Sequence, residues 1–270
     1  ARPIAIGEVF LKIACQYVFK MTVDEVNRTV GKHQYGNRVN GVETVVHSAR
    51  QFIRNSKNSV LATIDCSNAF NSILRGAMAT GLSEGPGDTS LMLNLFRLAY
   101  GRTSNLFLRF MDETKTIHSS RGSRQGDVFG GALFCIGLST VMHDFHKLFP
   151  DVKLWMHMDD ITLGGDAKRV AAAAKHIREQ LLRVGLKVNA AKSHWYGPEA
   201  SFKHAGDMFQ TSARGVKILG AWVTHAPETT KEFLDAKLRK LDPFFEILSA
   251  EGGLPPEAAI PILRHCGPAR

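Results

Sequence analysis

Apolar positions recur at helical spacing through residues 4–30, where Ile6, Val9, Phe10, Ile13, Ala14, Tyr17 and Val18 can share one helix face. A loop with Gly and Asn spans 31–41, a second helical stretch follows at 42–53, and residues 59–65 form a short apolar run that reads as a buried strand. Helical spacing returns at 67–82 and 89–100, separated by a turn cluster at 81–88. Residues 105–110 and 114–119 alternate like a hairpin around Met111, Asp112 and Glu113. A Gly-rich loop, 122–131, leads into an apolar helix at 132–148, and two strands, 152–158 and 161–164, flank Asp159 and Asp160. Asp166 is a favourable N-cap for a helix whose stripe is Val170, Ala173, Ile177, Leu181 and Val184, with Gly185 at its end. Strand-like pieces at 186–188, 194–196 and 216–223 precede a basic helix at 229–250. This order predicts an α+β fold, a sheet with helices on one face.

The pattern also isolates two acidic positions. Asp65 follows the apolar run Ala62, Thr63, Ile64, and Asp159 with Asp160 follows Trp155, Met156, His157, Met158. Each would stand at a strand end or tight turn, and two strands of one sheet can bring them together. Such a cluster suits a hard divalent cation, because Mg²⁺ takes a few carboxylates together with substrate phosphates. An Asp-Asp pair alone reads more readily as an ordinary turn.

Composition narrows the partner. Lys plus Arg number 34 against 25 Asp plus Glu, a net charge of +9, which favours a polyanion through release of phosphate counterions. A basic protein with no such partner would look the same by charge alone. The 270 residues admit one large domain or two lobes, and 44% hydrophobic content supports a sizeable core. The four cysteines, Cys15, Cys66, Cys135 and Cys266, lack the paired spacing of a zinc site or disulfide framework, which fits a reducing intracellular compartment. No apolar run approaches the ~20 residues of a membrane span, and no signal peptide or other targeting signal is visible. With Ala1 first rather than Met, the chain reads as a piece of a longer polypeptide.

The acidic positions now resemble parts of a known set. DCSNAFN at Asp65 to Asn71 resembles motif A of the reverse transcriptases of non-long-terminal-repeat retrotransposons, enzymes related to those of group II introns. RQGD from Arg124 to Asp127 resembles motif B, HMDD from His157 to Asp160 motif C, GLKVNAAK from Gly185 to Lys192 motif D, and KILGAWV from Lys217 to Val223 motif E. Upstream, RPI at Arg2 to Ile4 and the stretch Gln34 to Gly41 resemble finger motifs, and Ile262 to Pro268 resembles the start of a thumb helix. The order along the chain is that of the family, and the finger segment loosely resembles site-specific elements of protists.

The resemblance implies a right-hand polymerase: partial fingers at 1–58, a palm at 59–225 with a finger-proximal insert about 84–121, and the start of a thumb at 226–270. It implies an RNA-directed DNA polymerase that adds dNMP to a primer 3′-hydroxyl on an RNA template, with a DNA primer and dNTP as partners, two Mg²⁺ ions that Mn²⁺ can replace, and a nuclear site of action. Asp65 and Asp159 would hold both ions, Asp160 would add negative field or an occasional ligand, and the carbonyl of Cys66 would complete a shell. Phe70 would collide with a ribose 2′-hydroxyl and select dNTP; by itself the same ring reads as core. Gln125 and Gly126 would line the nucleotide pocket, and Arg2 would grip triphosphate. Arg124 would join that pocket or pair with Asp127 to support the loop. Lys192 would protonate or neutralise the leaving pyrophosphate, or stand as a solvated surface lysine. Leu219 and Gly220 would form a tight strand gripping the primer end. Lys231, Lys237, Arg239 and Lys240 would follow template and primer phosphates, or make a solvated helix face.

His157 departs from the family, which places Tyr, Phe or Ala there; the change removes no metal ligand and brings polarity near the primer. No endonuclease, zinc-knuckle or RNase H segment is visible. The competing reading is a catalytically inactive remnant that binds nucleic acid. An RNA-templated RNA polymerase would share the metal site, but the bulk of Phe70 opposes it.

Overall fold

The computed structural model describes residues 7–110 and 113–248, with 254, 255, 257, 258, 260 and 261. Its contacts divide the chain into two compact units, Ala1–Val223 and Thr224–Arg270.

At the centre of the first unit is β1 (Val60–Ile64), a run of apolar and β-branched residues suited to a buried strand. It pairs antiparallel with β5 (Asp160–Gly165) on one side and β6 (His194–Tyr196) on the other. β4 (Lys153–His157) closes the outer edge beyond β5, and β7 (Gln210–Ser212) lies parallel beside β6, giving the order β4-β5-β1-β6-β7.

Strand residues alternate between the two faces, and each face fills differently. Val60, Ala62, Ile64, Leu154, Met156, Ile161, Leu163 and Trp195 enter the larger core. That core is shared with α1 (Val9–Val30), α4 (Arg75–Glu84), α5 (Ser90–Tyr100), α6 (Gly130–Met142) and α8 (Ala167–Arg183). On the opposite face Leu61, Trp155 and Tyr196 meet Val45, Val46, Ala49 and Ile53 of α2 (Gly41–Asn55). They also meet Val216, Ile218 and Val223 of a hairpin, β8 (Val216–Ile218) with β9 (Ala221–Val223). Helical backing on one face alone was therefore incomplete. The second cover extends over only part of its face and leaves the lower ends of the strands open.

Local signals explain several boundaries. The Asp166 carboxylate accepts from the backbone N–H groups of Lys168 and Arg169, capping α8, and Gly185 ends that segment at φ 83°. The expected helix at 67–82 breaks into α3 (Ala69–Ser72) and α4, because Ile73 and Leu74 are extended. Likewise the helix expected at 132–148 is α6 followed by a short α7 (Phe145–Leu148). Residues 186–188 form only an isolated bridge, Cys66 to Val188, rather than a strand.

The largest correction concerns α1. Its expected apolar face is largely exposed: Phe10 is 85% accessible, and Val9, Ile13 and Tyr17 are also exposed, whereas Cys15, Thr22, Val26, Thr29 and Val30 are buried. Periodicity identified the helix but chose the wrong stripe, since tertiary packing selects which of two apolar edges is used.

The hairpin expected between 105 and 119 is present as β2 (Ser104–Phe110) and β3 (Glu113–Ser119), with its turn residues Met111 and Asp112 outside the described residues. In the second unit the basic segment forms α9 (Pro227–Arg239) and α10 (Asp242–Leu248). The expected thumb segment from Ile262 to Pro268 lies outside the described residues.

Candidate active site

The open end of the second sheet face is a groove of about 500 Å³. Alternation places its floor: Thr63 and Asp65 continue the face that Leu61 begins, Thr162 and Asp160 continue it on β5, His157 on β4 and His194 on β6. The register pairs Ile64 with Ile161, so Asp65, one residue on, stands opposite Asp160, one residue back. Lys192, Lys217, Ile218, Leu219 and Gly220 line the other walls.

Asp65 is held from its backbone. Its N–H donates to Ser193 Oγ at 3.1 Å, and its carbonyl accepts from the Asn189 N–H at 2.8 Å. Ser193 is fully buried and donates from the same hydroxyl to the Asn189 carbonyl at 2.9 Å. Thus the loop carrying Lys192 also fixes the end of β1. Lys192 itself is exposed in the groove.

Asp159 occupies the two-residue turn between His157 and Asp160, after Met158, whose φ of 56° is left-handed. It does not line the groove as Asp65 and Asp160 do, yet all three carboxylates act on one neighbour. Burial, then the charges of Asp159, Asp65 and Asp160, push the Cys66 thiol up to about 12. The backbone bridge beside it uses the Ser67 N–H and the Asp65 carbonyl rather than groups of Cys66. Among the described residues no group of three or more His, Cys, Asp or Glu side chains is arranged to hold a metal ion. The carboxylates share a neighbourhood without closing a cage. All-oxygen donors of this kind fit a hard cation that keeps waters and substrate phosphates in its shell. His157 is half-buried, and burial lowers its pKa.

Leu219 and Gly220 are a turn, not a strand. They join β8 to β9 with φ of 47° and 88°, the two positive values of a tight two-residue hairpin. Leucine carries strain there that Gly220 does not, and the pair projects into the groove.

The expected nucleotide pocket is only partly assembled. Phe70 is half-buried and stacks on Phe134, ring centroids 4.6 Å apart, so it belongs to the core while keeping an accessible edge. Gln125 is half-buried and Gly126 exposed, with φ 97°. Arg124 and Asp127 do not form the expected ion pair. Both use Tyr100: the Arg124 guanidinium lies 4.6 Å from the ring centre, and Asp127 accepts from the Tyr100 hydroxyl at 2.6 Å. Arg124 also donates to the Ala99 carbonyl and Ser104 Oγ, which makes it an anchor of the motif B loop. Arg2 lies outside the described residues. On α9, Lys231, Lys237 and Arg239 are exposed, as is Lys240 after it, and Lys237 lies 5.1 Å from the Phe233 ring.

Sequence reasoning missed Thr63, Thr162, His194 and Lys217 on the groove, and Ser193 beneath it. Period-two alternation from Asp65 and Asp160 would have found the two threonines. His194 and Lys217 needed the strand pairing.

The reverse transcriptase (RNA-dependent DNA polymerase) family profile matches residues 1–223. The chain belongs to that family. It is 27% identical over 256 residues to the retrotransposable element SLACS 132 kDa protein of Trypanosoma brucei gambiense, covering 92% of this chain and 20% of that protein. The chain thus spans about a fifth of its relative, and the likeness agrees with the expected retrotransposon affiliation. Among solved structures, apo telomerase from Candida tropicalis aligns with a TM-score of 0.54 at 12% identity, over 80% of this chain and 38% of the other. The same telomerase truncated of its C-terminal domain aligns at 0.51 and 14%, over 80% and 42%. At these identities the alignments show the fold alone, a polymerase fold in which a mostly antiparallel sheet is backed by helices. No described helix of this reverse transcriptase domain is long and apolar enough to cross a membrane.

Proposed function

We propose that this reverse transcriptase domain extends a DNA primer on an RNA template, acting where chromosomal DNA is available as target, in the nucleus. The observation that carries the reading is the single groove on which Asp65, Asp160, Lys192 and the Leu219–Gly220 turn converge, with Asp159 in the turn beside it. Residues from four separated motifs meet there, and a basic chain of +9 is suited to the polyanions it would hold.

In the reaction the primer 3′-hydroxyl oxygen bonds to the α-phosphorus of dNTP, the bond to pyrophosphate breaks, and the hydroxyl proton leaves to solvent. Asp65 and Asp159 would hold two Mg²⁺ ions, with Asp160 adding negative field and the Cys66 carbonyl completing a shell; the chemistry such ions would supply is Lewis acidity toward the hydroxyl and the departing charge. Lys192 neutralises or protonates the leaving pyrophosphate. The exposed edge of Phe70 excludes a ribose 2′-hydroxyl, while Gln125 and Gly126 contact the nucleotide. The Leu219–Gly220 turn seats the primer end. Lys217 and His194, further along the groove wall, face the primer backbone, and the lysines and Arg239 of the second unit attract template and primer phosphates. The division into fingers, palm and thumb follows the same reading.

Primer extension on an RNA template with dNTPs and Mg²⁺ tests it. Incorporation by the chain and its loss in Asp159→Ala are expected. Equal signal from both, or preference for rNTPs, overturns the reading, and binding of primer–template without extension would favour the inactive remnant.

A further inference from the structure

The turn that carries Asp159 is held by a side chain 124 residues earlier in the chain. Gln34 is 1% exposed, and its carboxamide engages both backbone groups of Met158: Oε1 accepts from the Met158 N–H at 2.8 Å, and Nε2 donates to the Met158 carbonyl at 3.2 Å. Oε1 accepts a second hydrogen bond, from the Gly36 N–H at 2.9 Å. The backbone continues the same attachment. Residues around Gln34 run parallel to the outer edge of β4, where the Met156 N–H donates to the His33 carbonyl at 2.9 Å and the Tyr35 N–H to the Met156 carbonyl at 2.7 Å. The side chain therefore extends a strand-like ladder past the end of β4 and onto the turn.

Met158 has reason to need this. A non-glycine residue at φ 56° carries strain and persists only where its surroundings over-determine it. Glycines close on it from two sides. A Cβ at Gly36 would come within 2.8 Å of Met158 Sδ and 2.9 Å of its backbone nitrogen, and one at Gly131 within 3.1 Å of its Cε. The Met158 sulfur meanwhile lies 3.4 Å from Cys135 Sγ, against the larger core. Its backbone is clamped and its side chain is packed, so the residue after it, Asp159, leaves the turn in one direction.

We propose that Gln34 is a positioning residue for the acidic cluster: its carboxamide holds the Met158 turn in the left-handed conformation that aims Asp159 at a divalent cation. The inference rests on the metal reading of the acidic cluster given above. A buried amide satisfied on both sides specifies geometry more than it adds stability, because each partner exists only in this arrangement. Groups that hold a metal-binding side chain in place typically change metal affinity or activity by about 10- to 100-fold when lost.

Two variants separate positioning from folding. Gln34→Met keeps the volume and removes every hydrogen bond, while Gln34→Glu keeps the acceptor and loses the donor. Amide hydrogen exchange of the metal-free chain reads the clamp: in Gln34→Met the Met158 and Gly36 amides should exchange at least about tenfold faster, while the Met156 amide, bonded to backbone, stays protected. In Gln34→Glu the Met158 and Gly36 amides should remain protected. Mn²⁺ titration, followed by broadening of the Asp159 amide resonance, reads the consequence; Gln34→Met should bind about 10- to 100-fold more weakly with primer–template affinity unchanged. Mn²⁺ affinity equal to wild type, or faster exchange spread to the Met156 amide, overturns the proposal. A wild-type chain that binds no Mn²⁺ at Asp159 overturns the metal reading and this inference with it. A wild-type chain that binds Mn²⁺ without extending primers counts against the polymerase reading alone.

Discussion

Two hairpins of the same local kind meet opposite fates in this domain. β2–β3 and β4–β5 are both antiparallel pairs of short strands, and both were legible as alternating or apolar runs about a polar turn. β5 lies between β4 and β1, its residues Ile161 to Gly165 are buried, and its turn is clamped by Gln34. β2–β3 makes a sheet of its own, with Phe107 71% exposed and Leu108 and Ile117 also exposed. Among the described residues its base is tied down by Arg75 to Ser119 and Arg124 to Ser104. Strand propensity makes a hairpin; burial on both faces and a clamp at the turn make one that can hold an acidic turn in a fixed place.

The sharpest break of the comparison is chemical. Asp159→Ala should lower primer extension by at least about a thousandfold, measured under single-turnover conditions, while leaving the melting temperature within a few degrees. A substitution at the start of β3, such as Glu113→Ala, should leave extension nearly unchanged. Next comes packing: Leu163→Ala on β5 should cost about 2–5 kcal/mol in denaturant unfolding, because the cavity lies inside a filled core.

A smaller effect concerns the segment that buttresses β4. His33 lies against His146 with ring centroids 3.7 Å apart and planes tilted by 42°, and its Nδ1 lies 3.2 Å from the Leu154 carbonyl. Burial, and then the neighbouring His146, lower its pKa from 6.5 to about 4. The folded state therefore resists a proton that the unfolded chain accepts, so stability should fall as pH drops from about 6.5 towards 4 and level off below. After allowance for partial exposure the loss should be on the order of 1 kcal/mol, checked by melting temperature against pH and flattened in His33→Gln. Asp166→Ala, which removes the cap of α8 after β5, should cost about 1 kcal/mol. The smallest change belongs to the exposed hairpin: Leu108→Thr should shift stability by less than about 0.5 kcal/mol.

Much of this contrast was hidden from sequence for identifiable reasons. Strands β1, β4, β5 and β6, the α8 helix with its cap, and the acidic turn depend on neighbours within a few residues, and they appear as read. The α1 stripe was misjudged because Phe10, Ile13 and Tyr17 make as good an apolar edge as the one actually buried. Residues 216–223 looked like one strand, since nothing in a run of apolar residues announces that Leu219 adopts positive φ. Gln34 opened a finger-like stretch, but nothing in that resemblance pointed to the Met158 turn. Its role exists only because the chain brings it to a turn far along the sequence.

By itself the sequence determined the elements, the order of the motifs and the identity of the three carboxylates, because propensity, capping and alternation act over a few residues. Which face of the sheet stays open, which apolar stripe is covered, and how Asp159 is aimed were decided only in the tertiary structure. Those outcomes depend on pairings such as Ile64 with Ile161 and Gln34 with Met158, and the free energy of such a contact belongs to neither segment alone.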